Sequence, residues 1–423
     1  MAVATIELAL TAFVAVMLVS QILSLKAKAP YTLILVFVGV GITALATIPS
    51  LGSNPVSSAV QDVTSQMSSF YTALVEGGLF VGLVVPPLIF EAMMHIKAPD
   101  LRAVIRPAVV LATAGVVIAT MVGGLVLWQL AGLSLTVSFL FAAIVAPTDV
   151  VTVLEVFRRA DVPSELATLM DTEAAFNDAT GIVIFTLVLS WIGLSKVSIL
   201  SGLSVFGFTT VGGAAVGFLI AFAASRVSAS IEDKMATVIL TVSAVYGSYV
   251  FASGVGASGL IAVAVVGLYF GNVTMKAAVA QDTRDVVLFF WQIAAFIGNS
   301  VAFLLIGFET NLIILSQSFV LIVTACLVVT LARAASVYPI LAIFNQVREK
   351  IPIAWSNVAM LGGVRGALSI ALAASLTGSA IVSGSDVRTI TTMVFGVAFL
   401  SIAIQTPLLS RYIKRKFGNQ QLL

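Results

Sequence analysis

Two aspartates lie in the middle of long apolar stretches, where an ionised side chain is costly. Asp149 occurs in APTDVV and Asp178 in AAFNDATGIVIF, and each follows a neutral polar residue, Thr148 or Asn177. A carboxylic acid among apolar groups favours its protonated form, and it can release that proton when a cation arrives. Asp178 is therefore predicted to be a site at which H⁺ and a metal cation compete. A neutral, hydrogen-bonded Asp178 without a transport role is less favoured, because Asp149 lies one span earlier.

The stretch around Asp149 has two interpretations. Pro147 removes a backbone donor and disfavours a regular helix at Ala146, so we expect the helix to unwind here. Freed backbone carbonyls, the Thr148 hydroxyl and the Asp149 carboxylate would then offer the oxygen ligands that hard cations such as Na⁺ prefer. Alternatively, Asp149 caps the amides that begin the second half of the helix. The two interpretations are compatible.

Glu173 belongs to a different face of the helix from Asp178. Glu173 and Asn177 are four residues apart and share one face. Because an unpaired Glu is costly inside a membrane, we expect Glu173 to form an ion pair with Arg333 of a later apolar segment. We interpret this pair as an internal brace and not as a ligand.

The remaining intramembrane charges are Arg365 and Glu91. Arg365, in GGVRGALS, is expected to offset the negative ends of half-helices, with a gating role less favoured. Glu91, in PPLIFEAMMHI, either lines a cytoplasmic funnel or snorkels to the interface. The single histidine, His95, is expected at the surface. Three acids near segment ends are given no role: Glu76, Asp171 and Glu309.

The composition identifies the elements that must hold these residues. Of 423 residues, 60% are hydrophobic and only 9% are charged, which is typical of a polytopic membrane protein. About 20 apolar residues span a bilayer. We therefore predict an all-α protein without a soluble domain, with about thirteen transmembrane helices at 6–25, 31–49, 73–94, 105–131, 133–157, 165–194, 199–225, 234–253, 258–275, 284–308, 312–344, 353–378 and 386–410.

Basic residues predict the orientation. With thirteen spans, the loops on one side carry nearly all Lys and Arg outside the spans, and the other side carries only Lys196 and Arg388. By the positive-inside rule the N-terminus is outside and the C-terminus is cytoplasmic. The first span is expected to be a retained helix rather than a signal peptide. The Ser-rich loop at about 49–71 then faces outside.

Spans five and twelve are interrupted, at Ala146–Val151 and at Gly362–Ser369. Paired broken helices in two halves of a chain are typical of inverted-repeat transporters with a binding site near the bilayer midplane. We expect the two unwound segments to cross. The only cysteine, Cys326, excludes an intramolecular disulfide and is expected to be a packing residue.

These residues, in this order, resemble the monovalent cation/proton antiporter superfamily, in the branch of the NhaP-type and NHE-type sodium/proton exchangers. The likeness covers most of the chain and is carried by PPLIFEAMMHI (86–96), APTDVVTVLEVFRR (146–159), MDTEAAFNDATGIVIF (170–185), FLLIGFETN (303–311), LARAASVYP (331–339) and GGVRGALSIALA (362–373).

The resemblance implies a role for each polar residue. Asp178 looks like the essential cation and proton carboxylate, with Asn177 before it, and Glu91 looks like a third acidic group near the ion. The other matches are the Thr-Asp of the unwound helix, the buried ion pair and the Arg of the Gly-Gly-x-Arg-Gly stretch, here Thr148 and Asp149, Glu173 and Arg333, and Arg365.

The resemblance also implies a homodimer. The short cytoplasmic tail favours the cell membrane over an organelle, and we expect no cofactor and no nucleic-acid partner. Core helices would cover approximately 105–194 and 312–410, and dimerisation or scaffold helices approximately 1–94 and 199–308. Relatives with Asn-Asp are generally electroneutral, and charge counting at Asp178 alone agrees. The expected function is exchange of Na⁺ or Li⁺ for H⁺, one for one, by alternating access.

Two positions depart from the family pattern. Ala174 stands where the family usually has a Ser that is a cation ligand, and Val150 stands where it usually has Pro. The loss of the Ser hydroxyl leaves K⁺/H⁺ exchange open as an alternative. An intramembrane aspartyl protease is a remote alternative, since neither APTD nor AFND supplies its Gly-x-Gly-Asp stretch. A channel fits less well than alternating access, because a single protonatable site is not a continuous pore.

Overall fold

A computed structural model describes residues 2–27, 29–47, 65, 80–149, 151–157, 162–193, 199–277, 279–309, 312–347, 351–376 and 381–417. Every regular element in these ranges is helical. The helices are α1 (Ala2–Ala27), α2 (Tyr31–Thr47), α3 (Val85–His95), α4 (Ala98–Ala131), α5a (Leu135–Val145), α5b (Val151–Phe157), α6 (Ser164–Ile192), α7 (Ile199–Ser228), α8 (Lys234–Gly254), α9 (Gly259–Ala277), α10 (Gln281–Glu309), a short helix Leu312–Gln317, α11 (Phe319–Val347), α12a (Ile353–Leu361), α12b (Ala367–Ala374) and α13 (Gly384–Phe417).

The helices follow the predicted apolar segments. Within the described residues, eight are long and apolar enough to cross a membrane, and α1, α2, α3 and α5a contain shorter apolar helices. Each of the thirteen predicted segments holds helix, while the number of crossings stays a prediction. Two predicted segments, 105–131 and 386–410, were shorter than the helices that contain them. α4 begins at Ala98, where Pro99 occupies the first turn, and α13 continues to Phe417. Apolar length misses such polar helical ends.

The fifth and twelfth segments are each divided into two helices. Ser134 begins α5a by accepting a hydrogen bond from the Val137 amide at 3.2 Å. α5a ends before Ala146, and α12a ends before Gly362. The two breaks meet, because the Asp149 amide donates to the Val364 carbonyl at 2.8 Å. The expected crossing of two unwound segments is present.

The helices pack mainly within two groups. In one group α2 packs on α10, α3 on α9 and α10, and α7, α8 and α9 on one another. In the other group α4 packs on α5a, α6 and α11, and α11 packs on α13. Fewer contacts join the groups, chiefly from α6 to α9 and from α10 to α12b and α13. The cavity described next lies at this boundary.

Some predicted features lie outside the described residues. These are the Ser-rich loop apart from Ser65, the start of the third segment, Val150, and the basic residues Lys28, Arg158, Arg159, Lys196, Arg348 and Lys350.

Candidate functional site

A cavity of about 300 Å³ lies between the two groups of helices. Of the described residues that line it, none is Lys, Arg or His, and the acidic ones are Glu91, Asp149, Glu155, Asp171 and Asp178. A concave site with only one sign of ionisable group focuses the electrostatic field and concentrates counter-ions. In the described part of the chain, no three His, Cys, Asp or Glu side chains converge as a metal-binding group. The cavity therefore favours a cation without providing a closed metal cage.

Asp149 and Asp178 approach each other across this cavity. They belong to the break of α5 and to the middle of α6, and they are close enough to repel each other when both are charged. Asp178 makes no ion pair within the described residues. Its charge can be balanced by a proton or by a cation in the cavity.

The break of α12 provides space for Asp149. A Cβ atom on Gly366 would lie 2.4 Å from the Asp149 Cβ and 2.6 Å from its Cγ, which is too close for any side chain. The carboxylate therefore lies beside the backbone that begins α12b, where helix amides attract negative charge. Asp149 also lies just before α5b, the helix whose first amides it was expected to cap, and that capping role stays a prediction.

Asn177 fixes the unwound segment of α5 on α6. Its Nδ2 donates to the Thr148 Oγ1 at 3.0 Å, and both side chains are buried. One helical turn further along, a Cβ on Gly181 would lie 2.1 Å from the Pro147 Cγ. The close approach of Pro147 and the amide of Asn177 together set the position of Thr148.

Arg365 compensates the end of α5a. It is 1% exposed, and its Nη1 donates to the carbonyls of Ala146 at 3.2 Å and Pro147 at 3.0 Å. Carbonyls at the end of a helix carry partial negative charge, which a guanidinium offsets. The Arg365 amide donates to the Ser401 hydroxyl at 3.1 Å, which connects the break of α12 to α13.

Glu173 and Arg333 lie together away from the cavity. Arg333 Nη1 is 2.5 Å from Glu173 Oε1 and Nη2 is 3.0 Å from Oε2, a bidentate pair with both side chains buried. The Arg333 Nε and Nη2 also donate to the Ala359 carbonyl, at 3.3 and 3.1 Å. The pair joins α6, α11 and the end of α12a.

Glu91 lines the cavity from α3. The residue is 7% exposed, so the snorkelling alternative is wrong. The helix end lies one turn further along, where His95 Nδ1 is 2.8 Å from the Glu91 carbonyl and 3.7 Å from its Oε1. The His95 side chain is 45% exposed, which agrees with its expected surface position.

Two acidic residues of the cavity were missed by sequence reasoning. Asp171 received no role because it lies near a segment end, and Glu155 was not singled out. Asp171 is seven residues before Asp178, which is two helical turns, so the same-face spacing could have found it. Glu155 carried no local signal, because its partners belong to a distant helix.

Crossed broken helices beside an acidic cavity are the architecture of an ion-coupled secondary transporter. Residues 9–415 match the family described as sodium/hydrogen exchanger, transmembrane. The chain belongs to this family of exchangers.

Individual relatives agree with this assignment. The chain is 33% identical over 391 residues to the Na(+)/H(+) antiporter ApNhaP of Aphanothece halophytica, covering 91% of this chain and 69% of that one. It is 29% identical over 408 residues to the Na(+)/H(+) antiporter NhaG of Bacillus atrophaeus, covering 94% and 73%. Its fold is similar to the sodium proton antiporter MjNhaP1 of Methanocaldococcus jannaschii, with a TM-score of 0.74, 21% identity and coverage of 98% and 100%.

Proposed function

We propose that this protein exchanges Na⁺ for H⁺ across the cell membrane. The observation that carries this proposal is the cavity in which Asp149 and Asp178 meet without a basic residue among the described lining residues. The relatives named above are Na(+)/H(+) antiporters, which supports Na⁺ and H⁺ as the transported ions here. Membership in an exchanger family favours transport over the protease alternative.

The proposed mechanism is competition for Asp178. In one state Asp178 holds a proton, and in the other state it is ionised and binds the cation together with the Asp149 carboxylate and the Thr148 hydroxyl. Asn177 supports this arrangement because its amide positions Thr148. Each cycle then moves one cation against one proton, and no net charge crosses the membrane.

Alternating access requires the site to change sides. We assign the two groups of packed helices to a core and a scaffold, with boundaries near those expected from the sequence, and we propose that the core moves. The cavity is lined by residues at the end of α1, at the start of α2 and near the start of α6. The positive-inside rule places these helix ends on the cytoplasmic side, so we propose that the cavity opens to the cytoplasm. We also propose a homodimer with the N-terminus outside.

K⁺/H⁺ exchange remains the second candidate because of Ala174. This residue lines the cavity one turn before Asp178 and supplies no oxygen. A shell with fewer protein ligands is less able to replace the hydration of a small, strongly hydrated cation.

The test uses purified protein in liposomes with a trapped pH dye and imposed gradients of Na⁺, Li⁺ or K⁺. A Na⁺-driven pH change that is independent of a potential clamp, and that vanishes in Asp178→Asn, supports electroneutral Na⁺/H⁺ exchange. A response to K⁺ alone would replace Na⁺ as the substrate. Absence of any cation response from folded protein would contradict the proposed function.

A further inference from the structure

Glu155 joins the second half of the broken helix α5 to the start of α2. Its Oε2 accepts hydrogen bonds from the Thr32 amide at 3.2 Å and from the Thr32 hydroxyl at 3.0 Å, and its Oε1 accepts from the Tyr31 amide. Free amides and the positive end of the dipole make the first turn of a helix a good partner for a carboxylate. Glu155 therefore caps α2 although 123 residues separate Glu155 from Thr32 in the chain.

The start of α2 is held firmly by α10. The Tyr31 hydroxyl lies 2.9 Å from the Ser300 Oγ, and the Tyr31 ring stacks on Phe296 with 4.8 Å between centroids. Further along, Gly39 packs directly on Gly307, since a Cβ at Gly39 would lie 2.8 Å from the Gly307 Cα. The capped end of α2 is thus part of the group assigned above to the scaffold.

α5b is held by the other group. Val153 and Phe157 are buried in a cluster with Leu409, Ile413 and other residues of α4, α6, α11 and α12a. Asp149 lies just before α5b, and Glu155 lies in the second turn of that seven-residue helix. The bonds of Glu155 cross the boundary between two separately packed groups, and they do so at the wall of the cavity.

We propose that Glu155 is a positioning residue for the open state of the cavity. By capping α2 it holds the cavity open to the side assigned above to the cytoplasm, and it releases the cap when the core moves. The proposal rests on the exchange function given above. Loss of a helix cap typically changes an equilibrium constant by about fivefold. We therefore expect removal of the Glu155 carboxylate to shift the equilibrium between the two access states by about that factor.

The test introduces Thr32→Cys and Glu155→Cys in a Cys326→Ala background, which removes the only native thiol. The two cysteines are joined by oxidation or by a short bifunctional thiol reagent, and exchange is measured in liposomes before joining, after joining and after release. We expect exchange in the reduced protein, arrest when the pair is joined and recovery on release. Sustained exchange in protein with a complete cross-link would overturn the proposal.

Single-cysteine variants treated in the same way control for modification of one thiol. Absence of exchange in the wild type would instead contradict the proposed function, so the two failures are distinguishable. A second measurement needs no cross-link: a cysteine at Ala92, which lines the cavity, reports access. We expect alkylation of this cysteine from the side assigned to the cytoplasm to be slower in Glu155→Ala than in the protein with Glu155. The decrease should be smaller in Glu155→Gln, because Gln keeps an acceptor oxygen. An unchanged rate in folded Glu155→Ala would also overturn the proposal.

Discussion

Two carboxylates on α6 lie little more than one helical turn apart and have opposite surroundings. Glu173 is held by both nitrogens of Arg333, which is itself anchored on the Ala359 carbonyl. Asp178 faces a cavity and, within the described residues, makes no ion pair. Glu173 is buried and Asp178 is partly exposed to the cavity, so one charge is neutralised by a fixed partner and the other is not.

The difference separates a structural charge from an exchangeable one. A buried charge needs a partner, and a charge that is neutralised by a fixed partner does not need to bind a proton or a cation. Where the fixed partner is missing, a proton or a cation must take its place. The cavity beside Asp178 gives that ion a path, whereas Arg333 closes the position beside Glu173.

Removing the exchangeable charge should have the largest effect on transport. We expect Asp178→Asn to reduce cation-driven pH change to the level of empty liposomes, because an amide neither releases a proton nor balances a cation. Its thermal stability should match or exceed that of the wild type, since a buried repulsion with Asp149 is removed. Residual exchange above the empty-liposome level would show that Asp178 is not essential.

Removing the structural charge should mainly affect folding. We expect Glu173→Gln to destabilise the protein by about 3–5 kcal/mol, because Arg333 is left buried with an uncompensated charge. The measurement is the midpoint of thermal unfolding in detergent. The double variant Glu173→Leu/Arg333→Leu is the control and should lose less stability than Glu173→Gln. A larger loss in the double variant would argue against the brace.

Adding a second carboxylate should change the charge balance. Asn177→Asp places an acid beside Asp178 and removes the donor to Thr148. We expect slower exchange that becomes sensitive to membrane potential, because a second proton can be carried for each cation. Exchange rates at clamped potentials of opposite sign measure the effect. Equal rates at both potentials would mean that the added acid does not take part.

Restoring the missing hydroxyl should have a smaller effect. One further hydrogen-bonding or ligand oxygen contributes about 1 kcal/mol, so Ala174→Ser should lower the KM for Na⁺ relative to that for K⁺ by about fivefold. The ratio of the two KM values at fixed pH is the readout, with Ala175→Ser as the neighbouring control. A ratio that does not change would remove Ala174 from the selectivity argument.

The smallest effect is expected at the surface. Lys234 Nζ lies 2.6 Å from Asp282 Oδ2, and this ammonium lowers the pKa of the exposed Asp282 carboxyl. Any stabilisation from the pair is present at neutral pH and is lost as acidification passes through that lowered pKa. Because solvent screens exposed pairs, Asp282→Asn should leave unfolding midpoints and exchange rates unchanged at neutral pH. A clear loss would give this pair an unexpected role.

The sequence predicts the helices and the buried polar residues well, because apolar length and intramembrane charge are local signals. Arg365 and Asp149 were expected to compensate helix ends, but their partners were not predictable. Arg365 binds the carbonyls of Ala146 and Pro147 in the other broken helix, and such long-range pairs depend on tertiary structure. Glu155 was missed for the same reason. Glu91 kept two interpretations until its burial was known.

The Arg365 guanidinium also determines how much electrical work the proposed cycle requires. In the core, Glu173 is paired with Arg333, and by formal count the positive charge of Arg365 offsets the negative charge of Asp149. With either a proton or a cation on Asp178, these four charges, Asp178 and its bound ion sum to zero. One uncompensated charge moving through the full field would be worth about 2.3 kcal/mol per 100 mV. Because this sum is the same with a proton as with a cation, the membrane potential would do no net work over a full cycle, and the chemical gradients of the two ions alone would set the direction of exchange.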